Sequence, residues 1–490
     1  MKVFFLVPIQ QILHARKKPK LFISPNRNYS KHRIEVIHFT ESKLFKTPNL
    51  YYNKKGIIIM NKKKHFYRIA EKALERKLHT SGCVIVTGPK ACGKTTLSRA
   101  IAKSETLLKS NQAIALAKAD PLSTLSGSSP HLIDEWQKVP EIFNLIRNDL
   151  DEEYEFGKYI LTGSTTPLDP SKIQHNGAGR VSFLNLKTLS LFESGESNGL
   201  VSLSALFQNP NRSVPTIYPE GNPISLKDIA YLRCRGGWPI SCKAEKEYAI
   251  DATKNYYDVL FTAEGESDEF SEFFQNKNVD LLKSVLKEVA RNISTEAKKT
   301  TMVKDILSSG ERKSLDEDTL SSYLNILKNI FLIYDRPAKN RNLRSSVSVR
   351  VSPTYHFYDT SMALASLGIQ PGDLLNDLNS FGLFFEDFAI HDLSIYSQSI
   401  QGVRKHYLDS NGQEVDAIIE IPNGNYAAIE IKIYSPDNIK AGISSLSRFQ
   451  SKRISSGNKP PLFSAIVTSH GPCYKTKEGI LIIPINYLKD

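Results

Sequence analysis

Residues 83–97, Cys-Val-Ile-Val-Thr-Gly-Pro-Lys-Ala-Cys-Gly-Lys-Thr-Thr-Leu, hold the first set of side chains whose types and spacing could do chemistry. Gly88 to Thr95 spell G-x-x-x-x-G-K-T, a phosphate-binding loop. Glycine is needed where the backbone must wrap a phosphate closely enough for its N–H groups to donate. Lys94 supplies a point charge to the β- and γ-phosphates, and Thr95 a hydroxyl to Mg²⁺. Gly88, Pro89, Lys90, Ala91, Cys92, Gly93, Lys94, Thr95 and Thr96 are therefore the expected nucleotide-binding residues, with ATP and Mg²⁺ as cofactors. The context fits: Cys83–Thr87 reads as a buried strand and Leu97–Ile101 as a helical run.

A second set follows in His131-Leu-Ile-Asp-Glu-Trp-Gln137, a short apolar run ending in two carboxylates. At this distance from the loop it has the form of a Walker B strand. Asp134 would hold Mg²⁺ through its water shell, and Glu135 would polarise the water that attacks the γ-phosphate. Lys158–Ser164 reads as another strand ending in small polar residues, Thr162 and Ser164. Arg180 closes the Gly-rich stretch Gly177-Ala-Gly-Arg. It is either an arginine finger, on its own chain or a neighbouring one, or a turn cap. Arg68, in a helical stretch before the first strand, either reaches nucleotide or is solvated.

The third set is C-terminal. Phe381–Ile390 is an apolar helix interrupted by Glu386 and Asp387. Val403–Leu408, Val415–Ile421 and Tyr426–Ile433 read as strands. Asp416 lies among apolar residues, and Glu430 and Lys432 share one strand face. Carboxylates inside apolar strands are costly unless paired or metal-bound. Glu386, Asp416 and Glu430 are thus the expected ligands of a second divalent ion, with Lys432 beside them. The other reading is a salt-bridge network without catalysis.

Five regions position these groups: a basic N-terminal extension (1–62), a nucleotide-binding domain (63–205), a Ser/Asn/Pro-rich linker and helical region (206–278), three helices and a hairpin (279–345), and an α/β module (346–490). The third of the three helices, Asp316–Asn329, starts with Asp316, Glu317 and Asp318, which does not suit a DNA-reading helix. Arg235-Gly-Gly-Trp-Pro239 carries a glycine pair that implies close backbone approach. The net charge of +13 over 490 residues sits in one place: residues 1–65 hold 15 Lys and Arg against 2 Asp and Glu. The remainder is balanced, so the body carries no nucleic-acid signature of charge. The extension reads as a nucleic-acid arm, a targeting peptide, or a stretch preceding the real start, and a start at Met60 is favoured. Val3–Ile9 is too short and too weakly flanked for a secretory signal. No apolar run approaches the ~18 residues of a membrane span. Five scattered cysteines without metal spacing fit a reducing, cytoplasmic setting.

Gly-Pro-Lys-Ala-Cys-Gly-Lys-Thr-Thr, Leu-Ile-Asp-Glu-Trp-Gln, Ile-Leu-Thr-Gly-Ser, Gly-Ala-Gly-Arg and Ser190-Leu-Phe-Glu-Ser-Gly-Glu-Ser197 together resemble a family of uncharacterised prokaryotic AAA-type ATPases with a C-terminal domain of unknown function. The resemblance implies ATP binding and places a polar sensor for the lytic water at Thr162 or Ser164. The Glu386, Asp416, Glu430-x-Lys432 arrangement resembles the restriction-endonuclease-like fold, which implies metal-assisted phosphodiester cleavage with Lys432 orienting or deprotonating the attacking water. The expected fold class is therefore α/β and multidomain: a P-loop AAA-type domain, a winged-helix-like middle region, and a restriction-endonuclease-like α/β domain. Two functions compete. One is an ATPase coupled to metal-dependent nucleic-acid processing, with DNA or RNA as partner. The other is a nucleotide-dependent switch or interaction protein with a non-catalytic C-terminal domain. Further copies of the chain are candidate partners in both.

A chain starting at Met60 is expected to fold and turn over ATP as the longer chain does, because the extension is read as having no core of its own. Loss of folding, by circular dichroism, or of turnover in that truncation would make the extension structural.

Overall fold

The computed structural model describes residues 50–52, 58–60, 65–164, 178–210, 214–217, 224–261, 277–295, 298–308, 310, 314–336, 354–408 and 412–490. Most of the basic extension, Gly177, the Gly221–Pro223 part of the linker and the turn at 337–340 lie outside these residues. The chain divides into two compact units, residues 1–67 and 68–490. In the first, β1 (Leu50–Tyr52) pairs antiparallel with β2 (Ile58–Met60).

The second unit begins with α1 (Ala70–Leu78), which leads into a five-stranded sheet. Its strands are β3 (Cys83–Thr87), β4 (Ser104–Leu107), β5 (His131–Asp134), β6 (Tyr159–Gly163) and β7 (Val181–Asn185), all parallel, in the order β4-β5-β6-β3-β7. Strand alternation divides the buried side chains between two faces. Cys83, Ile85, Ile133 and Leu161 pack with Ile142, Phe143, Ile146 and Leu150. Val84, Val86, Leu132 and Ile160 pack with Ala70, Leu74 and Leu97 on the other side. Helices α2 (Lys94–Arg99), α3 (Asn111–Ala119) and α4 (Glu141–Glu152) connect the strands. Because both faces are covered, the functional groups gather where the parallel strands end.

The chain then runs through α5 (Leu191–Ser194), β8 (Val201–Ser202) and α6 (Leu203–Gln208). β8, at the end of the expected nucleotide-binding domain, pairs in parallel with β17 (Leu488–Lys489). Helices α7 (Leu226–Arg235), α8 (Pro239–Lys243) and α9 (Ala249–Leu260) follow. Next come α10 (Val279–Arg291), α11 (Lys299–Ser308) and α12 (Glu317–Asn329), then β9 (Ile333–Arg336) paired antiparallel with β10 (Thr354–Phe357). After α13 (Thr360–Leu367) and α14 (Pro371–Asn376), the long α15 (Leu378–Gln398) enters the last module.

That module is a six-stranded mixed sheet in the order β11-β12-β13-β14-β16-β15. The strands are β11 (Val403–Leu408), β12 (Glu414–Glu420), β13 (Tyr426–Lys432), β14 (Phe463–Thr468), β15 (Tyr474–Lys475) and β16 (Leu481–Pro484). α16 (Pro436–Ser455) covers the sheet with Ile439, Leu446 and Phe449, packed on Val415, Ala428, Ile466 and Ile482. Ala417 stands opposite Ile429 in the β12–β13 register, which brings Asp416 and Glu430 to adjoining strand positions.

The glycine pair after α7 fastens the modules together. Gly236 has φ +68, and the Gly237 carbonyl accepts from Leu189 N at 2.8 Å. A Cβ on Gly237 would stand 2.1 Å from Leu189 O, a backbone atom that cannot swing away. Gly237→Ala is therefore expected to cost about 1–3 kcal/mol or to block folding. Gly372→Ala, where a Cβ meets nothing within 4 Å, serves as the control. Equal thermal midpoints for the two variants would refute the close-approach reading.

Candidate functional site

The loop after β3 is shaped by three residues with positive φ: Gly88 (+148), Ala91 (+63) and Gly93 (+104). A Cβ on Gly88 would collide with Leu186 O at 2.0 Å, so only glycine fits there. Lys94 is buried at the start of α2, and its Nζ donates to the carbonyls of Gly88 at 2.9 Å and Pro89 at 2.8 Å. Asp134, at the end of β5, is fully buried. Its Oδ1 accepts from Thr95 Oγ1 at 2.8 Å and from Thr162 Oγ1. Its Oδ2 accepts no hydrogen bond from the described residues, but lies 3.1 Å from Lys109 Nζ. A backbone cradle, a buried ammonium and a hydroxyl–carboxylate pair form the donor set that a magnesium nucleotide requires.

Glu135 has φ +63, which turns its side chain away from the strand just ended. Gln137 Nε2 donates to its Oε2 at 2.6 Å, and Ser164 Oγ reaches both carboxylate oxygens at 3.2 Å. Of the two sensor candidates, Ser164 is thus the one that touches Glu135. Thr162 is buried against Asp134 instead. Gln137 went unremarked in the sequence, although its spacing from Glu135 was visible.

Arg180 is not at this end of the sheet. Its carbonyl accepts from Cys83 N at the start of β3, and its Nε pairs with Asp151 at 2.5 Å. Five residues of strand, about 16 Å at ~3.3 Å each, separate it from the loop. An arginine finger acting within the same chain is therefore excluded. Its Nη1 also donates to Ala178 O, a turn contact.

Arg68 neither faces nucleotide nor solvent. It is buried, with Nε on Glu193 Oε1 at 3.2 Å, Nη1 donating to Cys92 O at 2.7 Å and Nη2 to Lys187 O at 2.7 Å. Glu193 also accepts from Ile69 N and Ser190 N. The phosphate loop is thereby tied to segment 187–193. Tyr256, whose ring packs tilted against Trp238 with centroids 4.1 Å apart, donates its OH to Lys90 O. Behind this lies a polar core. Asp359 Oδ2 accepts from Thr188 Oγ1 and Gly237 N, and Asp392 Oδ2 accepts from Leu191 N and Tyr396 OH. His391 bridges Thr188 and Asp392. Residues far apart in sequence meet here, and no local spacing announces it.

At the C-terminal cluster, Lys432 Nζ enters between Asp416 (3.0 Å) and Glu430 (2.6 Å). Ile431 N donates to Asp416 Oδ2, and Ser445 Oγ to Glu430 Oε1. Burial, then the nearby Asp416, pushes the Glu430 carboxyl up to about 7, with Lys432 pulling against them. Burial followed by Asp416 and Glu414 raises Glu386 well above the usual carboxylate range. Burial opposes the Lys432 charge, but Asp416 and Glu430 outweigh it and raise its pKa. Of the expected three-carboxylate set, Asp416 and Glu430 are brought together on Lys432, and Glu386 lies near enough for the Asp416 charge to act on it. Among the described residues no group of three His, Cys, Asp or Glu side chains is placed to hold a metal ion. The ammonium of Lys432 occupies the space between the two strand carboxylates.

A family model described as an AAA domain matches residues 80–194. Residues 80–194 form a P-loop, AAA-type ATPase domain. A model described as a domain of unknown function (DUF8612) matches residues 226–373. Uncharacterised proteins of Mycobacterium tuberculosis and Mycobacterium bovis are each 36% identical over 134 residues, 26% of this chain. The match spans about 30% of the length of these curated relatives. A solved Walker-type ATPase of Pyrococcus abyssi is similar over 62% of this chain and 97% of its own, at 15% identity and a TM-score of 0.40. The RuvB protein of Thermotoga maritima covers 55% of this chain and 89% of its own, at 16% identity and a TM-score of 0.25. No helix among the described residues is long and apolar enough to cross a membrane.

Outside the ATPase domain, the cluster at Lys432 makes a stability prediction. Lys432→Met leaves Asp416 and Glu430 facing each other unpaired, and should cost about 3 kcal/mol. The folded pKa of Glu430, about 7, lies above its ordinary 4.5. The native state then holds the proton more tightly than the unfolded chain. This contribution is complete below about pH 4.5 and is lost as pH rises through about 7. Glu430→Gln should flatten the fall in thermal midpoint across that window, and an unchanged slope would refute the assignment.

Proposed function

We propose that the chain binds ATP with Mg²⁺ at Gly88–Thr96 and hydrolyses it, and that the C-terminal module is a non-cutting partner of that ATPase. The observation that carries the first part is the joint placement of Thr95, Asp134 and a braced Glu135 at the phosphate loop. Lys94 and the loop N–H groups bind the phosphates, and Thr95 and Asp134 hold the ion. Magnesium, when bound, offsets phosphate charge. Glu135 takes the proton of the attacking water, with Ser164 and Gln137 fixing the direction of its carboxylate. Thr162 keeps Asp134 in place. Arg180, paired with Asp151 at the far edge, keeps a finger role only towards a neighbouring copy of the chain.

The reading of the C-terminal module follows from Lys432, whose contacts with Asp416 and Glu430 are those of a salt-bridge network. A restriction-endonuclease-like assignment of residues 346–490 rests on its strand order and on the Glu, Asp, Glu-x-Lys pattern. Metal-dependent processing of DNA or RNA is the second function in that case. The helices α10–α12 with the β9–β10 hairpin are read as winged-helix-like and structural, since α12 opens on Asp316, Glu317 and Asp318. Added DNA or RNA that accelerates ATP turnover, or is cut in the presence of Mg²⁺ or Mn²⁺, would favour the second function.

Lys94→Ala should abolish tight ATP binding. Glu135→Gln should preserve binding and slow turnover by about 10²–10⁴-fold, the usual range for a general base. Equal turnover in wild type and Glu135→Gln would remove Glu135 from the mechanism.

A further inference from the structure

We propose that Lys109 is a catalytic residue of the ATP site, supplying to the γ-phosphate the cation that the sequence suggested in Arg180. This rests on the ATPase reading and extends it by one residue and one role.

The backbone at Lys109 is fixed on both sides. Leu107 stands opposite Asp134 in the β4–β5 register, and the buried Leu108 donates its N–H to Asp134 O at 3.1 Å. Ser110 caps α3 by accepting from Ala113 N at 3.1 Å. Between these anchors the Lys109 side chain is 53% exposed, and its Nζ lies 3.1 Å from Asp134 Oδ2. That oxygen is buried and accepts no hydrogen bond from the described residues, while Thr95 and Thr162 occupy Oδ1. A pinned main chain with a half-exposed ammonium is what a group needs if it must reach a ligand that comes and goes.

The charge balance asks for such a group. In hydrolysis the bond from water oxygen to the γ-phosphorus forms and the bond to the β,γ-bridging oxygen breaks. ADP keeps the electron pair, and Glu135 receives the water proton. Charge is spread over the three outer γ-oxygens as this happens. Lys94 is one cation at the loop. Arg180 lies beyond reach at the opposite end of the sheet, paired with Asp151. Lys109, already beside the carboxylate assigned to the ion, is placed to offset the remaining charge without gaining or losing a proton.

The test uses the full chain as wild type, Lys109→Met and Lys109→Arg. Titration calorimetry with Mg²⁺ gives affinities for ADP and for a non-hydrolysable ATP analogue, and steady-state assays give kcat and KM. For Lys109→Met, kcat should fall by roughly 10²–10³-fold, below the 10³–10⁵ of an arginine finger because lysine makes a single point contact. The analogue should bind about tenfold more weakly, as for one lost charge-assisted contact, with ADP affinity within twofold. Lys109→Arg should recover part of both losses. A Lys109→Met enzyme with wild-type kcat, or one that loses ADP and analogue affinity equally, overturns the proposal. A wild type that binds neither nucleotide overturns the ATPase reading itself, so the two failures are distinguishable.

Discussion

The structure depends on the cost of burying charge. Asp359, Asp387 and Asp392 lie out of solvent, and a buried carboxylate is tolerable only when its oxygens are fully hydrogen-bonded or paired. No single segment can satisfy them. Asp359 needs Thr188, Gly237 and Ser361 together. Asp387 takes His356, Phe357 N and Thr360. Asp392 takes Leu191 N, Tyr396 and His391. Arg233 provides the nearby positive charge from within the core, its guanidinium 3.3 Å from the centre of the Phe388 ring. Burial draws its pKa down to about 9, while Asp392 and Asp387 work in the other direction. Meeting these demands fixes segment 187–193, the glycine pair and α15 against one another.

The nucleotide site inherits that rigidity. Arg68 grips the carbonyl of Cys92 with one nitrogen and that of Lys187 with another, and Glu193 holds Arg68 in turn. The loop that must present its N–H groups is therefore braced from outside by groups that touch no substrate. The same α15 that buries Asp392 also carries Glu386 towards the strand carboxylates. The ATP loop and the Lys432 cluster are joined by a continuous series of packed and hydrogen-bonded residues, with α15 as the common member.

What was legible in the sequence was local. G-x-x-x-x-G-K-T, Leu-Ile-Asp-Glu and Glu-x-Lys each put their chemistry within a few residues, and strand alternation placed Glu430 and Lys432 on one face. The strands β11 to β13 were also visible, because apolar runs bounded by turns mark their ends. The choice among the alternatives for Arg180 could not be made from its Gly-rich setting, which says nothing about which end of a strand it sits at; that depends on the parallel register of β7 with β3. Lys109 left no signal, since an exposed lysine before a helix cap is ordinary. Arg68–Glu193 joins residues 125 positions apart, and Thr188–His391 joins residues 203 apart. Pairings of that span come from tertiary packing, which no window of sequence contains. The C-terminal carboxylates were found, but whether Lys432 would stand beside a metal or between the carboxylates is a matter of ångströms.

The pairing of β17 with β8 bears on how the chain acquires its structure. Val201 and Ser202 find their strand partners only at Leu488 and Lys489, and Ser197 Oγ donates to Leu488 O. A contact that closes so long a loop carries a large entropy cost before any reward, and such contacts slow folding. During synthesis the nucleotide-binding sheet emerges early, but segment 197–204 must wait for nearly three hundred further residues. Until then Asn198 N and the strand-pairing groups of Val201 and Ser202, whose partners lie at residues 486–489, remain open to other partners, which makes this segment the natural point for chaperone capture or for misassembly between nascent chains.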